Sequence, residues 1–481
     1  MRIKAFSAAL LLSLAFPVYP EGLPDLGDTS EASLPLRQER TIGQEIMQEI
    51  HADKSYLDDP ELLAYVQSLG SRLVEAGSPT SQEFEFFMID DPSLNAFALP
   101  GGHVGVHTGL ILAAQNESEL AGVLGHEIAH VTQRHIARLI AGQQSSALTS
   151  LAALAIAILA ARSNSQISQA AIATAQATSV QNQLDFTRQH EQEADRVGLQ
   201  TMSNAGFDPR GMETFFERLQ RSTRAVEGNA PSYLRTHPLT VERIADIQNR
   251  LEKLPVKQAT DSLDFLLVKA KIRARTGSTQ EALKYFETEP AGANARAARI
   301  YGVAATQRRA RDLGSAEKTL DQLRGRAPQH PMIDSLAAAI KRDQGQYAAA
   351  LEIYRNGLKL FPQDRALFYG EVETLLDQKN YNDALKTVND RLLAGQDEAK
   401  LYELQSRIYT ALGRRLAQHQ AQAEVYYRRG NLPAAADQLR IAIKSGDGDF
   451  YQISSAEARL RQIRAEIVPN KSGAKDEPYK Y

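Results

Sequence analysis

The chain has 481 residues, enough for two or three domains, each with a core of its own. Its 55 Lys and Arg nearly balance 58 Asp and Glu, interspersed for a net charge of −3, which argues against a nucleic-acid or strongly anionic membrane partner. With no Cys, disulfides and thiolate ligands are excluded, so a bound metal must be held by nitrogen and oxygen.

The chain begins with a basic Met1-Arg2-Ile3-Lys4, and Ala5 to Val18 is mainly apolar. That run is shorter than the ~20 residues a spanning helix needs, so residues 1–20 read as a cleaved secretory signal, with an uncleaved anchor as the alternative. Residues 21–38, rich in Pro, Gly, Ser and acids, read as a linker. An amphipathic helix is expected over Asp59–Ala76, carried by Leu62, Leu63, Val66, Leu69, Leu73 and Val74. Phe84, Phe86 and Met88 alternate as in a strand, Asp90–Ser93 forms a turn, and Asn95–Leu99 and His103–His107 read as further strands. The edge of such a sheet can pair with an extended substrate backbone without reading its side chains. His103 and His107 are expected to be structural.

The most informative run is Gly125-His126-Glu127-Ile128-Ala129-His130. His126 and His130, at i and i+4, lie on one face of a helix, as two imidazoles must to hold one Zn²⁺ at about 2.0–2.1 Å. Glu127 stands beside that face, placed to take a proton from a water at the metal. Asn116 is a suitable N-cap with Glu119 three positions on, and Leu120, Val123, Leu124, Ile128 and Val131 supply an apolar stripe. On a continuous helix His135 falls half a turn out of phase and reads as exposed.

A catalytic zinc needs a third protein ligand and an open position. The segment Glu191-Gln192-Glu193-Ala194-Asp195, in a helix from about Leu184 to Ala205, offers it. Glu191 and Asp195 share a face and Glu193 does not, so Glu191 is assigned as third ligand and Asp195 as acceptor for a ligand imidazole. An acidic solvated face is the alternative. His237, before Pro238, is held extended. It reads as a donor to the developing oxyanion, as a fourth zinc ligand that closes the site, or as a loop His satisfied by backbone.

Between the two ligand helices, residues 145–183 are rich in Ala, Leu, Ile, Ser and Gln and read as a helical hairpin over the cleft. Small side chains pack loosely, so the hairpin can act as a lid, lean on the membrane, or sense a partner there; a transmembrane span is the alternative. From residue 260 to 465 the character changes. Ala282, Ala316, Ala350 and Ala384 recur with the ~34-residue period of tetratricopeptide repeats, and Gly277, Gly345 and Gly413 fall in one register. The register slips near Gly430-Asn431-Leu432-Pro433, leaving four regular repeats and two degenerate ones. Residues 466–481 read as a tail.

Gly125–His130, the Glu191–Asp195 segment, Asn95–Gly102 and Thr236-His237-Pro238-Leu239 together resemble the M48 metallopeptidases, which are gluzincins. The resemblance implies His126, His130 and Glu191 as ligands of one Zn²⁺, Glu127 as base and Asp195 as a supporting or proton-donating acid. The expected fold class is mainly α: an α+β gluzincin-type protease domain over 39–255 with a small sheet, then an all-α repeat solenoid. Among periplasmic members with such a C-terminus, the implied substrates are stalled or misfolded outer-membrane β-barrel proteins. The implied partner is the barrel-assembly machinery, reached through the repeats. A chaperone or adaptor with a latent zinc site is the alternative.

Overall fold

A computed structural model describes residues 34–141, 188–224, 231–255, 257, 259–323 and 328–467. The expected signal, the hairpin at 145–183 and nearly all of the tail lie outside the described residues. The first region contains α1 (Leu36–Ala52), α2 (Pro60–Ala76), β1 (Glu85–Ile89), β2 (Ala96–Leu99), β3 (His103–His107), α3 (Thr108–Ala113), α4 (Glu117–Thr132) and α5 (His135–Ala141). After the undescribed stretch come α6 (Arg188–Asn204), α7 (Arg210–Arg224), α8 (Ser232–Thr236) and α9 (Val241–Leu251). Among the described residues no helix is long and apolar enough to cross a membrane.

The helix starts follow local chemistry. Asp59 accepts from the backbone N–H of Glu61 and Leu62, with Pro60 opening α2. Asn116 accepts from Glu119 N–H at 3.0 Å. Glu119 reaches back past the cap to accept from Gln115 N–H at 2.7 Å, a variant of the expected capping box. The metal helix departs from the expected single stripe: every residue from Glu117 to Val131 is buried, because α4 lies at the centre of the fold with α2, α6, α7 and β2 around it.

All three expected strands form. Their order is β1-β3-β2, with β1 parallel and β2 antiparallel to β3, so β2 is an edge strand lying against α4. The link from β2 to β3 turns through Gly101 (φ 81°) and Gly102 (φ 87°), left-handed backbone that favours glycine. A Cβ on Gly102 would stand 2.0 Å from Glu83 O.

The second region is the solenoid: α10 (Leu263–Arg275), α11 (Thr279–Tyr285), α12 (Ala293–Arg309), α13 (Leu313–Asp321), α14 (Pro331–Asp343), α15 (Tyr347–Leu360), α16 (Arg365–Asp377), α17 (Tyr381–Leu393), α18 (Ala399–Ala411), α19 (Arg415–Arg428), α20 (Leu432–Ile443) and α21 (Phe450–Ile467). The regular repeats are α10–α17. Ala282, Ala316, Ala350 and Ala384 are all buried where paired helices meet. Gly277, Arg311, Gly345, Lys379 and Gly413 all take positive φ at the same turn, so two residues that are not glycine hold the left-handed turn of the repeat. The slip near Gly430 is a tight connection between α19 and α20, Gly430 itself at φ 76°.

The two regions do not have separate cores. One apolar cluster runs from Leu62, Val66, Val104, Leu124 and Phe216 into Phe265, Val268, Ile272 and Tyr301 of the first repeats. This corrects the expectation of independent cores: α10 packs on α2 and α3, and Lys271 Nζ bonds Asp59 at 2.7 Å and Glu61 at 2.5 Å. Farther along, Lys400 pairs with Asp58 at 3.1 Å, and a Cβ on Gly430 would stand 2.4 Å from the Gln48 side chain of α1.

Candidate metal centre

Two helices must touch to build this site, and glycine lets them. A Cβ on Gly198 of α6 would lie 2.8 Å from His126 N and 2.9 Å from Gly125 C, and one on Gly125 would lie 3.0 Å from Gly198 O. The backbones of α4 and α6 therefore meet directly, which brings Glu191 and Asp195 onto the histidine face. The third part comes from a loop: His237 follows α8, its N–H bonded to Tyr233 O at 2.8 Å.

The side chains converge. His126 Nε2 lies 3.0 Å from His130 Nε2, 3.4 Å from His237 Nδ1 and 3.4 Å from Glu191 Oε2. Glu191 Oε1 lies 3.5 Å from His130 Nε2 and 3.0 Å from His237 Nδ1. One ligand atom from each of these four residues falls within 4.8 Å of the others, and all four residues are buried. Metal–ligand bonds of ~2.0–2.1 Å in a tetrahedron require ligand atoms about 3.3–3.5 Å apart. These donors stand near that spacing, and lone pairs facing one another this closely in a buried site call for a cation between them. The residues fit a divalent metal with nitrogen and oxygen ligands.

The electrostatics agree with that division of roles. Burial raises the Glu127 carboxyl above its ordinary range, against the opposing pull of His237 and His126 and of the Ala98 backbone amide on edge strand β2. Burial also works to raise Glu191, but His237, His126 and Arg243 hold it well below the usual carboxylate range. Burial and the neighbouring His126 push His130 well down, which favours the neutral imidazole that a metal ligand needs. Asp195 Oδ1 stands 2.9 Å from His126 Nδ1, as expected of an acid that orients the imidazole.

The matching family models are those of peptidase family M48, over residues 60–251, and of a tetratricopeptide repeat, over 341–408. The beta-barrel assembly-enhancing protease of Escherichia coli (strain K12) is 33% identical over 469 residues, 96% of either chain. The chain belongs to peptidase family M48. A putative beta-barrel assembly-enhancing protease of Vibrio cholerae is 42% identical to this M48 peptidase over 256 residues, 53% of each chain. The mitochondrial metalloendopeptidase OMA1 of Schizosaccharomyces pombe is 34% identical over 197 residues, 41% of this chain and 55% of that one.

Within this M48 peptidase, Glu193 turns away from the ligand face, as its phase on α6 requires. His103 Nδ1 pairs with Glu85 at 2.9 Å and His107 Nδ1 meets Ser93 Oγ at 2.9 Å, both outside the cluster. His135 corrects the sequence reading: it is fully buried, its Nδ1 2.8 Å from His130 Nδ1. The helix ends at Thr132 and Arg134 takes φ 52°, so the phase of a continuous helix does not apply.

Arg243 was missed altogether. Buried on α9, it bonds both Asp195 oxygens at 2.7 Å, Glu191 Oε2 at 2.7 Å and Pro238 O at 2.8 Å. Burial favours its neutral form, but Asp195 and Glu191 more than offset this and keep it a cation. The available signal was its place one turn into the helix that Thr240 caps, just after His237-Pro238. Tyr233 was missed as well; its ring lies 4.7 Å from that of His237, and its buried hydroxyl has no hydrogen-bond partner among the described residues.

Proposed function

We propose that this M48 peptidase is a periplasmic zinc endopeptidase acting on misfolded or stalled outer-membrane β-barrel proteins, with its solenoid binding substrates or the barrel-assembly machinery. The convergence of His126, His130, Glu191 and His237 beside Glu127 carries the reading. His126, His130 and Glu191 would hold the zinc, which when bound would supply Lewis acidity toward a water and the scissile carbonyl. Glu127, made more basic by burial, would take the proton of the attacking water and return it to the leaving amine. Asp195 and Arg243 hold the ligands in place.

Edge strand β2 runs beside Glu127, and its outer edge is where an extended peptide would pair. Such a site selects by conformation: an unfolded barrel strand is extended and unpaired, a folded one is not. The basic, apolar start at residues 1–20 and the names of the bacterial relatives support the compartment and substrate class.

A second reading has its own observation. His237 Nδ1 stands among the ligand atoms, at the fourth corner that a catalytic metal keeps open. In that state the site is latent, and the solenoid can serve as chaperone or adaptor until His237 swings out.

The test is cleavage of an unfolded outer-membrane β-barrel protein by wild type and Glu127→Gln, with zinc measured on both. Cleavage by wild type alone at equal zinc supports the protease. No cleavage by either, with zinc bound and aggregation suppressed by both, supports the adaptor.

A further inference from the structure

The turn between α4 and α5 is made in an unfavourable way. Arg134 adopts φ 52°, a left-handed backbone that side chains with a Cβ disfavour. The surroundings hold it there: its N–H donates to Val131 O at 2.9 Å and its Nη2 to Leu34 O at 2.5 Å. The result is a redirected side chain. A continuous helix would carry His135 away from the metal face; this turn folds it back beneath His130, ring centroids 4.9 Å apart.

We propose that His135 is a positioning residue for His130, fixing its tautomer and ring orientation through a chain that ends on Glu193. The proposal rests on reading His126, His130 and Glu191 as metal ligands. His130 presents Nε2 to the cluster, so its proton sits on Nδ1, 2.8 Å from His135 Nδ1. Two N–H groups cannot face each other at that distance, so His135 accepts with Nδ1 and carries its own proton on Nε2. That nitrogen lies 3.2 Å from Glu193 Oε2, which also accepts from Arg138 Nη1 at 2.8 Å. One arrangement of protons satisfies these contacts together: His130 donates to His135, and His135 donates to Glu193.

The geometry around the chain is consistent. The His190 ring stacks on His135 at 4.5 Å and 15°, which fixes the plane of the relay. The two metal histidines are thereby oriented by different means, His126 by Asp195 directly and His130 by Glu193 through an intervening imidazole. Alternate acids of one α6 turn and a half thus serve three tasks: Glu191 binds, Glu193 orients one imidazole remotely, and Asp195 orients the other.

The experiment uses the full chain as wild type, His135→Ala and His135→Asn, stripped of metal and titrated with zinc against a chromophoric chelator. Circular dichroism of each metal-free form checks folding. An outer orienting group is worth about 10–100-fold in metal affinity, so His135→Ala is expected to lose zinc affinity by about that factor. His135→Asn, whose Oδ1 can accept the same proton near the old Nδ1 position, recovers most of it. A long-range ¹H–¹⁵N spectrum of the zinc-loaded wild type shows His135 protonated on Nε2. Wild-type affinity in a folded His135→Ala, equal losses in the Ala and Asn variants, or a proton on His135 Nδ1 would each overturn the proposal. Should the Ala variant not fold, the tautomer measured in the wild type decides alone. A wild type that takes up no zinc refutes the ligand reading itself, and this one with it.

Discussion

His237 shares its two ring nitrogens between the ligand and the base: Nδ1 lies 3.0 Å from Glu191 Oε1, and Nε2 lies 3.5 Å from Glu127 Oε1. One side chain therefore touches both the carboxylate assigned to the metal and the carboxylate assigned as base. His237→Ala is expected to raise basal proteolysis about tenfold or more, because a blocked resting fraction is released. Zinc content should stay unchanged, since three ligands remain. A fall of about 10²–10³ instead would identify His237 as an oxyanion donor.

Glu127→Gln should abolish cleavage and yet stabilise the metal-free protein at neutral pH. The folded-state carboxyl is raised by burial, so the native state holds a proton that the unfolded chain releases near its ordinary value of 4.5. Native stability therefore falls as pH rises from that value through the raised one, and Gln escapes the loss. Melting temperatures of both proteins, with chelator, should diverge above about pH 5 and converge below about pH 4. Parallel curves across the range would contradict the burial argument.

Gly198→Ala probes the helix contact. Its Cβ would meet backbone atoms at 2.8–2.9 Å, which cannot rotate away. A separation of α4 from α6 follows, at about 1–3 kcal/mol in stability together with a loss of zinc affinity. Denaturant unfolding and zinc titration read the two effects separately. A change in stability with no change in zinc affinity would show that the ligand geometry does not depend on this contact.

Arg243→Met leaves Asp195 and Glu191 buried without their cation. Breaking a buried ion pair on one side costs about 3–5 kcal/mol, so the variant should unfold at clearly lower denaturant. Added zinc should recover part of the loss, because the metal returns positive charge to Glu191. Equal destabilisation with and without zinc would separate Arg243 from the metal site.

Lys379→Gly tests the left-handed repeat turn. The residue sits at φ 60° where other repeats place glycine, and relief of that strain, less the added freedom of the unfolded chain, should stabilise by about 0.5–1 kcal/mol. Arg311→Gly should gain less, because its guanidinium lies 3.7 Å from Asp343.

Much of the site was legible because its signals are local. The spacing of His126 and His130, and the phase of Glu191 against Glu193, follow from helix geometry, and the three residues assigned as ligands lie together with His237, whose role the sequence left open. Strand positions were legible from alternation, and the repeats from their period. What failed did so where a local rule was interrupted. His135 departs from the sequence expectation because helix phase does not run through Arg134, a residue whose left-handed backbone nothing in its type announces. Arg243 escaped notice because it touches its partners only after α9 folds onto α6, across a long separation in sequence. The continuous core was hidden for the same reason: amphipathic periodicity shows that α10 has a buried face, not that the face belongs to α2.

The solenoid is anchored to the protease region near both of its ends, by Lys271 at Asp59 and Glu61, and by Lys400 at Asp58 with Gly430 against Gln48. A repeat array with one free end can flex without disturbing what it is attached to. This one is strung like a bow, with α1 and the start of α2 as the grip. A guest that opens or tightens its curve must strain or release those tethers, and α1 in turn rests on the Gly101–His103 turn beside β2. Any strain that a guest placed on the repeats would therefore meet α1 and the turn beside the strand that borders Glu127 first.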